Sequence, residues 1–180
     1  MTPAADVLTL FRVALAPAFV WLLLDGGDRS AGPFGVFILA AASDFLDGRL
    51  ARARGGCSSA GRVLDHGADA LFVFPGLFAL AWTGRLPVAL PLLATAAFGG
   101  YVLDGWRRAT GAKRIELVPS RTGAAAGILN YAVAGLAAAA IWIGPGVLDD
   151  GLRVTAFVAV VLNGTAALDR ALRGASYSHA

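Results

Sequence analysis

The chain has 180 residues, 57% of them hydrophobic, with a mean hydropathy of +0.68. That excludes an ordinary soluble domain of this size, and because apolar runs recur along the whole length the chain reads as an all-α integral membrane protein. The formal charge is +3, from 15 basic and 12 acidic residues, with no aromatic–basic pattern for nucleic acid, so the small excess points to anionic lipid headgroups.

There is room for about six spans of about 20 residues and little else, which predicts one membrane domain over residues 1–180. Residues 7–24 form the first predicted span. No basic stretch precedes it and no small-residue cleavage site follows, so it is read as retained. Arg12 lies inside it. An arginine there is costly unless it snorkels to the membrane edge or faces a polar pocket, where it would meet phosphate.

A polar turn at 25–33 leads to the second span, 34–52, which carries Asp44 and Asp47 towards its end. The glycine- and serine-rich stretch 55–59 can reverse the chain. The third span, 62–82, carries Asp65 and Asp69 near its start. Residues three or four apart share a helix face. Asp44 and Asp47 therefore form one acidic stripe, Asp65 and Asp69 a second, and the two can face each other as an antiparallel helix pair.

The fourth span is 88–106, followed by Arg107, Arg108, Lys113 and Arg114 in the longest polar connection. The fifth, 123–143, opens with Gly123 and Gly127 among alanines, a small face that permits close helix approach. The sixth is 152–172. Trp21, Trp82, Trp106 and Trp142 lie near span ends, as an interfacial belt requires. With six spans, 12 basic residues fall on the aspartate side and three (Arg29, Arg85, Arg153) on the other. The positive-inside rule then turns the aspartates towards the cytoplasm, predicting a multi-pass inner-membrane protein.

A carboxylate near the bilayer centre costs about 2.5–3.5 kcal/mol on insertion scales, so four would cost on the order of 10 kcal/mol. Either protonation or bound divalent cations would offset that, and an all-carboxylate site suits hard ions such as Mg²⁺ or Mn²⁺. Two such ions would be ready to receive a diphosphate.

The stretch from Asp44 to Asp69 fits D-x-x-D-G-x-x-A-R-x8-G-x3-D-x3-D at every fixed position: Asp44, Asp47, Gly48, Ala51, Arg52, Gly61, Asp65 and Asp69. This resembles the signature of the CDP-alcohol phosphatidyltransferase family. The run Asp6-Val7-Leu8-Thr9-Leu10-Phe11-Arg12 resembles the family's opening N-x-L-T-x-x-R, with Asp6 in place of asparagine. The resemblance implies that CDP-diacylglycerol and an alcohol give a phosphatidyl-alcohol and CMP. It implies that Asp44, Asp47, Asp65 and Asp69 hold two Mg²⁺ or Mn²⁺ ions and that Asp69 is the general base. It implies that Thr9, Gly48, Ala51, Arg52 and Gly61 border the nucleotide and diphosphate, and that the protein is a homodimer. Ser120, Arg121 and Thr122 occupy the region where members with phosphorylated acceptors often carry basic residues. Lys113, Arg114 and Arg121 are thus candidate contacts for glycerol 3-phosphate, or for inositol phosphate, unless they only anchor a loop.

His66, beside Asp65, is expected to be a neutral residue at the cavity edge. Asp104 is expected to pair with Arg107 or Arg108. Asp169, Arg170 and Arg173 read as an interfacial charge cluster. Cys57, the only cysteine, is expected to be inert. The competing reading is an ion or proton-coupled transporter using the intramembrane aspartates, although no internal repeat supports it. An intramembrane prenyltransferase would carry its acidic motifs further apart.

Overall fold

The computed structural model describes residues 3–25, 29–53, 59–109, 120–144 and 146–177, and these form six α-helices. They are α1 (Pro3–Asp25), α2 (Gly32–Ala53), α3 (Ser59–Trp82), α4 (Ala89–Ala109), α5 (Arg121–Ile143) and α6 (Asp149–Tyr177). Each coincides with a predicted span and differs only at its ends. Among the described residues, Val7–Asp25, Arg121–Ile143 and Asp149–Leu172 are long and apolar enough to cross a membrane alone. Among the described residues, α2 and α3 contribute shorter apolar segments, Gly32–Leu46 and His66–Trp82, which include Asp44 and Asp69.

The helix ends follow local chemistry. Ser120 caps α5, its hydroxyl accepting from the Gly123 N–H at 3.0 Å. α3 ends in a left-handed glycine turn. Gly84 has φ +73°, its N–H donates to Ala81 O, and the Arg85 N–H donates to Leu80 O. The turn before α2 meets the end of α5, where the Arg29 N–H donates to Ile141 O at 2.9 Å.

The core is aromatic and small at once. Phe19 stacks on Phe72 with centroids 4.9 Å apart, and Phe37 lies 5.2 Å from the Tyr131 ring. Opposite these rings the helices carry glycine. A Cβ on Gly76 would come within 2.5 Å of the Phe19 ring, and one on Gly135 within 2.5 Å of the Phe37 ring. Glycine thereby lets α3 close on α1 and α5 on α2.

α1 packs against both α2 and α3, whereas α2 and α3 scarcely touch among the described residues. Asp44 and Asp69 nevertheless face a common point, because both reach the Arg12 guanidinium of α1. The first helix lies against both, and its polar side chains meet theirs. On the other side α6 packs closely on α4 and α5.

Trp21, Trp82, Trp106 and Trp142 all project outwards near helix ends, as an interfacial belt requires.

Candidate active site

The first three helices bring three charges together. Arg12 is fully buried. Its Nη1 donates to Asp69 Oδ1 at 2.5 Å, and its Nη2 lies 2.9 Å from Asp44 Oδ1. Asp44 stands on α2 and Asp69 on α3, so one guanidinium from α1 joins carboxylates from two other helices. Arg12 therefore faces a polar pocket and does not snorkel. The carboxylates keep relative exposures of 43% and 32%, and both line a cavity of about 690 Å³. Thr9, buried three residues before Arg12, shares its helix face.

The other signature residues are placed by backbone. Asp47, Ala51 and Arg52 lie on α2, and Gly61 and Asp65 on α3, with side chains outside the described set. Gly48 is half-buried on α2. Lys113, Arg114 and Cys57 lie outside the described residues. Among the described residues no group of three or more acidic, histidine or cysteine side chains could hold a metal, since two of the four motif carboxylates are not in that set. Arg121, the first residue of α5, is exposed.

The cavity extends between α3, α4, α5 and α6. Its polar end carries Asp44, Asp69, His66, Tyr101, Ser120 and Arg170. The rest is mainly alanine, glycine, valine and phenylalanine, with Asn130 and Asn163 inside. Asn130 lies ten residues past Ser120, about 15 Å along a helix. Asn130 and Asn163 are joined reciprocally. Asn130 Nδ2 donates to Asn163 Oδ1 at 3.2 Å, and Asn163 Nδ2 donates to Asn130 Oδ1 at 2.8 Å and to Ala159 O at 2.8 Å.

Arg170 is the residue that sequence reasoning misplaced. It does not sit in an interfacial cluster but is 9% exposed. Its Nη1 is 3.4 Å from Asp104 Oδ2, and its guanidinium lies 4.8 Å from the centroid of the Tyr101 ring. Asp104 thus pairs across helices with α6, beyond the local arginines the sequence suggested. Glycine makes the room: a Cβ on Gly100 would lie 3.3 Å from Arg170 Cδ. The signal was present in the spacing. Leu152, Ala156, Ala159, Asn163, Ala166 and Arg170 recur every three or four residues, and all are buried, so Arg170 continues the inner face of α6. His66 is exposed at the cavity edge, its ring edge-on to Tyr101 at 6.1 Å, which agrees with the sequence reading.

The arrangement pairs two carboxylates joined by Arg12 with a second buried guanidinium, Arg170, on the same cavity. It offers separate places for positive and negative charge at one end of an apolar chamber.

Comparison with known proteins follows the same line. The sequence model of the CDP-alcohol phosphatidyltransferase family matches residues 3–166. Over 95 residues the chain is 41% identical to a cardiolipin synthase (CMP-forming) of Streptomyces coelicolor, covering 51% of this chain and 44% of that protein. A probable phosphatidylglycerophosphate synthase of Mycobacterium tuberculosis is 32% identical over 87 residues, covering 46% of this chain and 42% of that protein. A putative cardiolipin synthase of Mycobacterium bovis is 28% identical over 116 residues, covering 63% and 55%. The chain spans about half the length of each of these relatives.

Proposed function

Because this chain belongs to the CDP-alcohol phosphatidyltransferase family, we propose that it transfers a phosphatidyl group from CDP-diacylglycerol to an alcohol and releases CMP. The observation that carries this reading is the convergence of Asp44 and Asp69, from two helices, on a single cation at the polar end of the cavity. A donor set of partly exposed carboxylates that already gathers positive charge fits hard divalent ions. Asp47 and Asp65, about one turn away on the same helices, would complete the set of four. Mg²⁺ or Mn²⁺ held there would neutralise the diphosphate and the departing CMP.

The chain's own residues do the rest. Asp69 accepts the proton of the acceptor hydroxyl as that oxygen bonds to the lipid-side phosphorus and the bond to CMP breaks. Thr9, Gly48, Ala51, Arg52 and Gly61 border the nucleotide and diphosphate, the small residues permitting close approach and Arg52 pairing with phosphate oxygens. The apolar walls take acyl chains and keep competing water away from the phosphorus. Arg170, held by Asp104 and Tyr101, presents its fork to a phosphate on the acceptor; Arg121, at the start of α5, and Lys113 and Arg114, outside the described residues, are the further candidate contacts. One relative's name, phosphatidylglycerophosphate synthase, is in keeping with glycerol 3-phosphate, the acceptor we propose ahead of inositol phosphate. The 12-to-three distribution of basic residues supports an inner-membrane protein with its site facing the cytoplasm, and a homodimer is part of the same proposal.

The test uses purified protein with labelled CDP-diacylglycerol and a panel of glycerol 3-phosphate, inositol phosphate and phosphatidylglycerol, reading CMP and the lipid product. CMP release that requires both a divalent ion and glycerol 3-phosphate is expected. Release with phosphatidylglycerol alone reassigns the acceptor. No release with any acceptor, together with ion flux in proteoliposomes, would establish the transporter reading instead.

A further inference from the structure

A guanidinium buried in a membrane bundle is costly unless anions surround it. Arg12 is fully buried and reaches Asp69 Oδ1 at 2.5 Å and Asp44 Oδ1 at 2.9 Å. Those carboxylates belong to two helices that both pack on α1. The arginine therefore has two effects at once. It neutralises acidic charge inside the bundle, and it ties the two acidic helices together through the first.

We propose that Arg12 is a built-in counter-cation that sets the affinity of the acidic centre for divalent ions. This rests on the reading of Asp44 and Asp69 as metal ligands. A divalent ion on those carboxylates draws on the oxygens that Arg12 contacts, and it stands within a few ångströms of a fixed positive charge. Like charges at that separation in a poorly hydrated site repel strongly. Arg12 thus weakens binding of the bare ion and lets the bundle assemble before any ion arrives. An anion entering with the ion, such as a diphosphate, gives the guanidinium a new partner in place of the carboxylate oxygens the ion draws on and relieves the repulsion. Metal and diphosphate binding are therefore coupled through Arg12.

The experiment is a titration of purified protein in detergent with Mn²⁺ alone, following free Mn²⁺ by electron paramagnetic resonance, then repeated with pyrophosphate. Arg12→Met is expected to bind bare Mn²⁺ at least tenfold tighter than wild type and to lose the gain that pyrophosphate gives the wild type. Its melting temperature without metal falls, and saturating Mn²⁺ restores it. Arg12→Gln, which keeps hydrogen-bonding capacity without the charge, is expected to tighten Mn²⁺ binding likewise. Equal or weaker binding of bare Mn²⁺ by both variants overturns the proposal while leaving the metal reading intact. A variant recovered only with Mn²⁺ present supports it, and one that stays unfolded at saturating Mn²⁺ overturns it. Absence of Mn²⁺ binding in wild type and variants alike overturns the metal reading, and this inference with it.

Discussion

The Asn130–Asn163 pair gives an asymmetric prediction. Asn163 makes three of the described bonds: it donates to Asn130 Oδ1 and Ala159 O and accepts from Asn130 Nδ2. Replacing Asn163 with leucine, close in shape, leaves the Asn130 amide buried with neither of these partners. Replacing Asn130 takes a partner from the Asn163 carbonyl and from one of its amide N–H groups but leaves Asn163 its donation to Ala159 O. Interhelical hydrogen bonds in membranes are worth about 0.6 kcal/mol on average, and an orphaned buried group costs about 1–3 kcal/mol. Asn163→Leu should therefore destabilise by about 2–3 kcal/mol and Asn130→Leu by about 1–2 kcal/mol. The double leucine variant removes both partners and should cost less than Asn163→Leu alone. Unfolding in mixed detergent micelles, followed by helix signal across a denaturant series, measures all four proteins. A double variant as unstable as the sum of the singles would refute the reasoning, because it would mean that the two amides do not act as a pair.

Three other predictions are simpler. Gly135→Ala places a Cβ within 2.5 Å of a ring atom of Phe37, and should lower stability by about 1–3 kcal/mol through overpacking; Gly127→Ala, with no atom within 4 Å of the added carbon, should be tolerated in the same melting assay. Asp69→Asn should reduce CMP release by about 10²–10⁴-fold if the carboxylate takes the acceptor proton, whereas an unchanged rate would remove it from that role. Arg170→Gln should raise the KM for glycerol 3-phosphate by about 10–100-fold, the worth of a charge-assisted hydrogen bond, with a smaller effect on kcat; a KM that does not move places the acceptor phosphate elsewhere.

Much of the molecule was legible before any coordinates. Six apolar runs of membrane length became six helices because the bilayer leaves few other solutions for such a chain. The acidic signature was legible because its spacing is fixed along two helices. Arg12 was only half legible. A lone arginine in an apolar run gives the cost of burial but not the face it turns to, and that face depends on α1 packing against α2 and α3. A first helix resting on both acidic helices cannot be read from local sequence. Arg170 was misplaced because neighbouring charges, Asp169 and Arg173, made it look interfacial. Its seven-residue distance from Asn163 carried the better information. Lys113 and Arg114 fall in the polar connection 111–119, outside the described residues, and spacing alone does not position them.

The order of the charged partners along the chain bears on how the protein is made. Arg12, Asp44 and Asp69 all lie on the three helices that end at Trp82, so this charge cluster can form while the later half is still on the ribosome. Much of the chamber wall and Arg170 arrive afterwards, with α4–α6. On the proposed function, the early half would carry the reaction and the late half would largely decide which partner molecule meets it. Exchanging α4–α6 between relatives is thus a direct route to a transferase of altered acceptor choice with its catalytic charges undisturbed.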